Sequence, residues 1–179
     1  MFQRKTLLST ALVATFGFLA LATAPAQAAS TGTINFSGKV LADTCTIAVN
    51  GGATVTLPTV MTAAFGSTVG TTAGDTPFTV ALSGCDTNTA SAKMAFSGSN
   101  IDNTSGDLTN TTTGGSNVRI RLLNSSNQAI NTKTGTNAPN IAVTSGSGST
   151  QMTAQYISTA TATSAGLVTS SVNFTLTYQ

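Results

Sequence analysis

The sequence predicts an all-β domain, and three observations lead to this. After residue 30, no helix-length stretch carries apolar residues at the 3.6-residue spacing of an amphipathic helix. Thr, Ser, Gly, Asn and Val dominate instead, which mixes β-branched strand formers with turn formers. Short runs alternate apolar and polar residues with a period of two, as in strands that are buried on one face. About seven or eight such strands in about 150 residues favour a β-sandwich.

The alternating runs predict the strands in chain order. They are 34–36, 45–49, 53–57, 78–82, 94–96, 118–122 and 172–178. Clusters of turn-forming residues separate them, at 50–52, 97–100, 113–115 and 145–148. Because no linker or change in composition marks a second domain, we expect a single hydrophobic core.

The first 28 residues have the arrangement of a secretory signal peptide. Arg4 and Lys5 precede a mostly apolar run at 7–24, and Ala-Gln-Ala at 26–28 supplies the small-x-small cleavage pattern. The alternative is an N-terminal membrane anchor, for which a run of this length, diluted by Ser and Thr, is marginal. We therefore expect residues 1–28 to be removed on export, and no stable membrane insertion of the mature chain.

The composition disfavours catalysis. The chain has no His, no Glu and no Trp, and 7% of its residues are charged, against about 25% in an ordinary domain. Without His there is no Ser-His or Cys-His catalytic system and no His-ligated metal. The net charge of +2 comes from Arg4 and Lys5, so the exported chain is formally neutral and a poor partner for nucleic acid. We expect no enzyme, no cofactor and no metal site.

The two cysteines are expected to form a disulfide. Export places them in an oxidising compartment, where two Cys favour a disulfide over a reactive thiol. Cys45 and Cys85 lie 40 residues apart. Closing that loop removes denatured-state entropy worth about 4 kcal/mol. A free thiol is the alternative.

Two groups of charged residues are interpreted as structural. Arg119 and Arg121 lie two residues apart on a predicted strand whose other face is apolar, so we expect solvated surface charges, with an inter-subunit contact as the alternative. The segment from Asp102 to Asp107 is similar to the start of a calcium loop, but its third position is Thr104 and no Glu follows at the twelfth. We therefore predict a turn there.

Several motifs follow one another in a specific order along the mature chain. They are Gly32–Val40, Asp43–Ile47, Thr76–Asp86, Phe96–Gly98, Asn117–Leu123, Ala154–Tyr156, Gly166 at the fourteenth position from the end, and Val172–Gln179 with its penultimate Tyr178. In this order and spacing they resemble the pilin subunits of chaperone–usher fimbriae, closest to the major pilins of type 1 fimbriae.

This resemblance implies an incomplete immunoglobulin-like β-sandwich that lacks its final strand and is completed by a donor strand from another subunit. It assigns residues 29–41 to an N-terminal donor-strand extension and residues 42–179 to the pilin domain. Ile34, Phe36, Gly38 and Val40 alternate and so share one face of the donor strand. Gly38, without a side chain, suits a close approach to the recipient's core. The alternative is an ordinary edge strand of the chain's own domain.

The resemblance also places the C-terminal strand at the groove and in contact with a chaperone. The residues implied are Gly166, Val172, Phe174, Leu176 and Tyr178. Gly166 is expected to mark a sharp turn or a close backbone approach. An exposed strand of this composition would aggregate unless it were covered. The alternative is a normal core strand.

The implied function is that of a structural subunit of a surface fimbria, which polymerises by donor-strand complementation and exchange and supports cell adhesion. The implied partners are a periplasmic chaperone, an outer-membrane usher and neighbouring pilin subunits in a head-to-tail homopolymer. Export through the periplasm would end on the cell surface. The alternative is a minor fimbrial adaptor or a single-domain adhesin that binds a host glycan, for which aromatic residues are scarce.

Overall fold

The computed structural model describes residues 35, 37–38, 45–49 and 54–179. The chain separates into two units, Met1–Gly38 and Lys39–Gln179. In the first unit, Asn35, Ser37 and Gly38 are exposed. The predicted signal peptide and the donor-strand residues Ile34, Phe36 and Val40 lie outside the described residues.

The described residues of the second unit form eight strands and one short turn of 3-10 helix. The strands are β1 (Thr46–Val49), β2 (Thr72–Ser83), β3 (Ser91–Ser97), β4 (Leu108–Thr109), β5 (Arg119–Leu123), β6 (Asn140–Ala142), β7 (Gly148–Ile157) and β8 (Asn173–Tyr178). The 3-10 turn spans Thr62–Phe65 and buries Phe65.

The strands form two sheets, and every strand pair is antiparallel. The larger sheet has the order β1-β2-β7-β5-β4, and the smaller sheet has the order β6-β3-β8. A bulge interrupts β2 between Ala73 and Thr76, where Gly74 adopts a φ of 76°. Such a bulge locally increases the twist of the strand. The predicted all-β sandwich is confirmed.

The core lies between the sheets and draws alternate residues from both. Its most deeply buried apolar side chains are Val80, Met94, Ile130, Ile141 and Met152. In β5 the inward residues Ile120 and Leu122 are buried while Arg119 and Arg121 are half-buried. The period-2 pattern therefore identified the core face correctly.

The predicted strand at 53–57 is wrong. Residues 54–60 form no strand, although Val55 and Leu57 are half-buried and their neighbours Thr54 and Thr56 are exposed. The alternation thus reports which side chains face the core. It does not report whether the backbone has a hydrogen-bonding partner, and Pro58 has no N–H to donate.

The central strand β7 was not predicted, because the residues at its start are too polar to show the alternation of a strand. It opens with Gly148-Ser-Thr-Gln and becomes apolar only from Met152 onward. The predicted turn cluster at 145–148 does contain a tight turn, closed by a bridge between Thr144 and Ser147, but Gly148 already belongs to β7.

The predicted disulfide between Cys45 and Cys85 is confirmed. It joins the start of β1 to the residue that follows β2 by one glycine, and both cysteines are buried. Because β1 is an edge strand of only four residues paired with β2, the bridge fixes it covalently where hydrogen bonds are few.

Arg119 and Arg121 are half-buried and form ion pairs, whereas solvated surface charges were expected. Arg121 donates two hydrogen bonds to the Asp107 carboxylate, at 2.8 Å from Nε and 3.0 Å from Nη2. Arg119 lies 2.8 Å from Asp102. Asp107 is buried, so its charge requires a partner, and a guanidinium fits a carboxylate in this two-point manner.

The predicted turn at 102–107 is confirmed. The Asp102 carboxylate accepts hydrogen bonds from the backbone N–H groups of Thr104 and Ser105 and from the Ser105 hydroxyl. These bonds and the Arg119 guanidinium hold the pKa of Asp102 below its ordinary value. Within the described residues, no group of His, Cys, Asp or Glu could hold a metal ion.

Candidate functional site

The last strand, β8, lies at the edge of the smaller sheet. It pairs with β3 along one side, from Asn173 opposite Ser97 to Tyr178 opposite Ala92, and has no strand on its other side among the described residues. An unpaired edge exposes a row of N–H and C=O groups that can pair with another extended segment.

The hydrogen-bonding pattern identifies which backbone groups of β8 face that open edge. Gln179 and Ser91 exchange both backbone hydrogen bonds, at 2.9 Å and 3.2 Å. Because hydrogen-bonded and non-hydrogen-bonded pairs alternate in an antiparallel ladder, the residues bonded to β3 are the odd-numbered ones. The N–H and C=O groups of Phe174, Leu176 and Tyr178 therefore point away from β3, toward the open edge.

The side chains of the same three residues face the core but are only half-buried. Asn173, Thr175 and Thr177 are exposed, whereas Phe174, Leu176 and Tyr178 are intermediate. In contrast, the residues opposite two of them on β3, Met94 and Ala92, are completely buried. Among the described residues the sandwich is thus open along β8, and Phe174, Leu176 and Tyr178 present both backbone groups and apolar side chains to the opening.

A cleft of about 240 Å³ lies at the first half of β8. We call it the β8 groove. Its lining comes from both sheets, from the segment after β1 and from the residues that lead into β8, and none of the lining residues is ionisable. They are Val49, Val55, Leu57, Phe78, Val80, Met94, Phe96, Leu108, Ile120, Leu122, Met152, Ala154, Ser170, Ser171, Val172 and Phe174.

A second cleft, of about 510 Å³, adjoins the groove, since Leu57 lines both. We call it the end cleft. It lies between the segment 57–65 and the segment 163–168, with Val118 and Tyr156 also in its lining. Burial raises the pKa of the Tyr156 hydroxyl above its ordinary value.

Gly166 lies where two backbone segments approach closely. It adopts a φ of 153°, and a Cβ atom there would come within 2.6 Å of the Ser116 nitrogen and 2.8 Å of the Gly115 carbonyl carbon. Only glycine fits both the conformation and the space. The close backbone approach expected from the sequence is present.

Side-chain amides and hydroxyls fix the segment that leads into β8. Asn110 donates to the carbonyls of Ser116 and Leu167 and accepts from the Thr169 N–H. Asn117 exchanges hydrogen bonds with Ser164 through their side chains and backbone N–H groups. The entrance to β8 is therefore held by specific hydrogen bonds, although it is not a strand.

The structure brings together five residues that the sequence analysis named and adds others. Val172, Phe174, Leu176 and Tyr178 follow one edge of the opening, and Gly166 lines the end cleft. Of the four residues predicted to form the groove-facing side of the donor strand, only Gly38 is described, and it is exposed. Val49, Val55 and Leu57 were not named as site residues. The alternation at 53–57, which led to the wrong strand prediction, was the signal that could have identified Val55 and Leu57 as facing the core.

The arrangement supports the binding of an extended chain segment. It combines an open strand edge, apolar pockets at alternate residues and an uncharged lining, which suits strand addition. Among the described residues, no helix is long and apolar enough to cross a membrane.

Comparison with known proteins places the chain in a family. The sequence profile described as Fimbrial protein matches residues 34–179. The F17 fimbrial protein of Escherichia coli is 38% identical over 91% of this chain and 96% of its own length. The major fimbrial subunit SMF-1 of Stenotrophomonas maltophilia is 40% identical, over 88% and 99%. The type 1 fimbrial subunit of Salmonella typhimurium is 31% identical, over 96% and 98%.

Among solved structures, the P pilus rod subunit PapA shares the fold. It superposes with a TM-score of 0.60 at 18% identity, covering 75% of this chain and 99% of that one. The CupB6 tip adhesin of Pseudomonas aeruginosa gives a TM-score of 0.51 at 23% identity, but only 32% of that longer chain is covered. The incomplete immunoglobulin-like sandwich expected from the resemblance agrees with these structural neighbours.

Proposed function

This chain belongs to the fimbrial protein family, and from that premise we propose that it polymerises head to tail by strand addition. It is a structural subunit of a fimbria, a surface filament. In the proposed mechanism, the open edge of β8 and the β8 groove accept the extension of one neighbour, residues 29–41. The extension of the chain itself, through Ile34, Phe36, Gly38 and Val40, completes the next neighbour.

The single observation that carries the proposal is the outer edge of β8, which pairs with no other strand in the part of the chain that the structure describes. Phe174, Leu176 and Tyr178 expose backbone groups and half-buried apolar side chains on the same side. An added strand would form hydrogen bonds with the exposed backbone groups and would bury the apolar side chains. The backbone bonds would supply affinity, and the side chains at alternate positions would set the register.

The same edge of β8 is the reason for including a chaperone in the proposed route to the cell surface. A free subunit would present an apolar strand edge to other chains and would aggregate. We therefore include in the proposal a signal peptide at residues 1–28, a periplasmic chaperone that covers β8 after export, and an outer-membrane usher at which the neighbour's extension replaces the chaperone. Support of cell adhesion and the absence of enzymatic activity belong to the same proposal.

A minor adaptor or glycan-binding adhesin is not favoured. The relatives with the highest identity quoted above include one named as a major fimbrial subunit, and the chain covers 99% of its length. The likeness to the tip adhesin concerns the fold and one third of that protein.

Deletion of residues 29–40 tests the proposed polymerisation. Surface filaments of this kind should give a series of multimer bands on electrophoresis without boiling, and the series should collapse to one band after boiling in acid. The deletion variant should give no such series, because it cannot complete its neighbour.

Point substitutions in the extension provide a matched control. Phe36→Asp changes the face that would enter the groove, whereas Asn35→Asp changes the opposite face. We expect the first to abolish the multimer bands and the second to leave them. Normal multimers from the deletion variant would refute the donor-strand assignment.

A further inference from the structure

The domain has two opposite ends, and β2 connects them. At the Thr72 end, Gly74 lies against the Tyr156 ring, which lines the end cleft. At the Ser83 end lies the Cys45–Cys85 disulfide, where the Cys85 N–H donates to the Gly146 carbonyl at 3.0 Å. We call these the cleft end and the disulfide end.

Strand β8 runs between the same two ends. It follows the segment 163–168, which lines the end cleft, and it finishes at Gln179, whose carbonyl accepts hydrogen bonds from Ala90 and Ser91, shortly after Cys85. Strand β8 therefore runs in the direction from the cleft end to the disulfide end.

Exposed apolar side chains occur at both ends. Met61 is 80% exposed and Leu167 is 74% exposed, and both lie on the rim of the end cleft. Ile47, two residues from Cys45 on β1, is 42% exposed at the disulfide end. Two large apolar residues on the rim of one cleft are unlike singly scattered surface residues and indicate a contact surface.

The direction of the added strand determines which ends meet. Every ladder between the described strands is antiparallel, and antiparallel pairing is slightly more stable per residue than parallel pairing. A donor strand antiparallel to β8 finishes beside the first residues of β8, at the cleft end. From its Val40 to its Cys45 the chain can span at most about 18 Å. The neighbour's disulfide end would therefore lie against the cleft end.

We propose that the rim formed by Met61 and Leu167 is the contact surface for the disulfide end of the next copy of this chain, with Ile47 of that copy facing the rim. This inference rests on the proposed function and adds a domain-to-domain contact to the strand exchange. The two surfaces differ, so the contact is heterologous and repeats along an open filament.

Site-specific photo-crosslinking in assembled filaments tests this contact. A photoreactive amino acid replaces Met61 or Leu167, both of which are exposed and tolerant of substitution. Gln151, exposed in the middle of β7, serves as the control position. After irradiation and boiling in acid, covalent dimers are separated and the attached peptide is identified by mass spectrometry.

We expect dimers from positions 61 and 167 but not from 151, with the attachment in residues 45–49, 85–88 or 145–147. Normal multimer bands without dimers at 61 and 167 would overturn the inference and leave the proposed polymerisation intact. Attachment to residues 29–40 would overturn it as well, by assigning the cleft rim to the donor strand. Loss of multimer bands in the unsubstituted chain would contradict the proposed function and this inference with it.

Discussion

Arg121 and Asp107 form the ion pair whose loss should cost the most stability. Asp107 is 4% exposed in its side chain and Arg121 is 26% exposed, and two hydrogen bonds join them. Arg121→Ala leaves a buried carboxylate without its partner, so we expect the free energy of unfolding to fall by about 1–3 kcal/mol. Arg121→Lys keeps the charge but loses the two-point geometry and should be intermediate.

Urea denaturation of the purified subunit measures this effect, with Arg119→Ala as the matched control. Arg119 and Asp102 are more exposed, at 32% and 20%, so solvent screens their pair and the Arg119→Ala loss should be clearly smaller than the Arg121→Ala loss. Equal losses of unfolding free energy for the two alanine variants would show that the burial of Asp107 does not determine how much its ion pair stabilises the fold.

Asp102 should make stability depend on pH in the acid range. Hydrogen bonds from Ser105, then Thr104, and the nearby Arg119 lower the pKa of Asp102 in the folded chain from 3.8. Its stabilisation is therefore present above the unfolded value and is lost as the pH falls through the lower folded value. Asp102→Asn should lose less stability than the unsubstituted chain as the pH falls below 3.8 and through the lower folded pKa of Asp102. Parallel pH profiles of the unfolding midpoint would contradict this.

Gly166 should tolerate no side chain. Gly166→Ala places a Cβ atom against Ser116 and Gly115 in a conformation that suits glycine, so backbone strain and overlap add. Gly114→Ala is the control, because Gly114 has a φ of 69° but open space around its Cβ position. We expect a loss of about 1 kcal/mol for the control and a larger loss at Gly166. Thermal unfolding compares the two, and equal midpoints would exclude the overlap.

At the scale of the element, substitutions on the two faces of β8 should affect the stability of multimers differently. Phe174 lines the groove and is half-buried, whereas Thr175 is exposed. Under the proposed strand addition, the added strand would bury Phe174 and leave Thr175 in solvent. We expect Phe174→Ala to lower the temperature at which multimers dissociate and Thr175→Ala to leave it unchanged. Electrophoresis after incubation at increasing temperature measures this. An equal response of the two variants would show that the groove face of β8 does not hold the neighbour.

The same element shows what the sequence could predict. The alternation of Val172–Tyr178 predicted β8, and the alternation of Val118–Leu122 predicted β5, because each strand buries one face and leaves the other polar. The segment 53–57 has the same alternation without a partner strand, so periodicity alone overpredicted there. Strand β7 was missed because its first four residues are Gly, Ser, Thr and Gln, although the strand is central.

The candidate site was predictable in part for a similar reason. The alternation of apolar residues predicts the C-terminal strand, and the resemblance to pilins predicts its place at the groove. The alternation around Val49, Val55 and Leu57 indicates only that their side chains face the core, and their contribution to the groove depends on tertiary packing. The ion pair of Arg121 and Asp107 depends likewise on tertiary proximity across 14 positions.

At the scale of the whole molecule, the low charge is consistent with association through the edge of β8 rather than through ionic contacts. After residue 28 the chain carries five basic and five acidic residues, and no ionisable group lines the β8 groove. The molecule therefore relies on backbone hydrogen bonding and apolar burial for association. In the proposed polymerisation the donor and acceptor surfaces differ, so each copy would hold one neighbour and complete another, which would extend a filament without closing it.

Hydrogen exchange at the backbone amides of β8 in assembled filaments tests the central claim most directly. The odd-numbered amides of β8 already bond to β3, whereas those of Phe174, Leu176 and Tyr178 face the open edge. Filaments are exchanged in deuterated buffer, dissolved under quenching conditions and read residue by residue by NMR. The account predicts that the amides of Phe174, Leu176 and Tyr178 exchange as slowly as those of Asn173, Thr175 and Thr177. Rapid exchange at the three even-numbered residues, in filaments whose odd-numbered amides are protected, would contradict strand addition at β8.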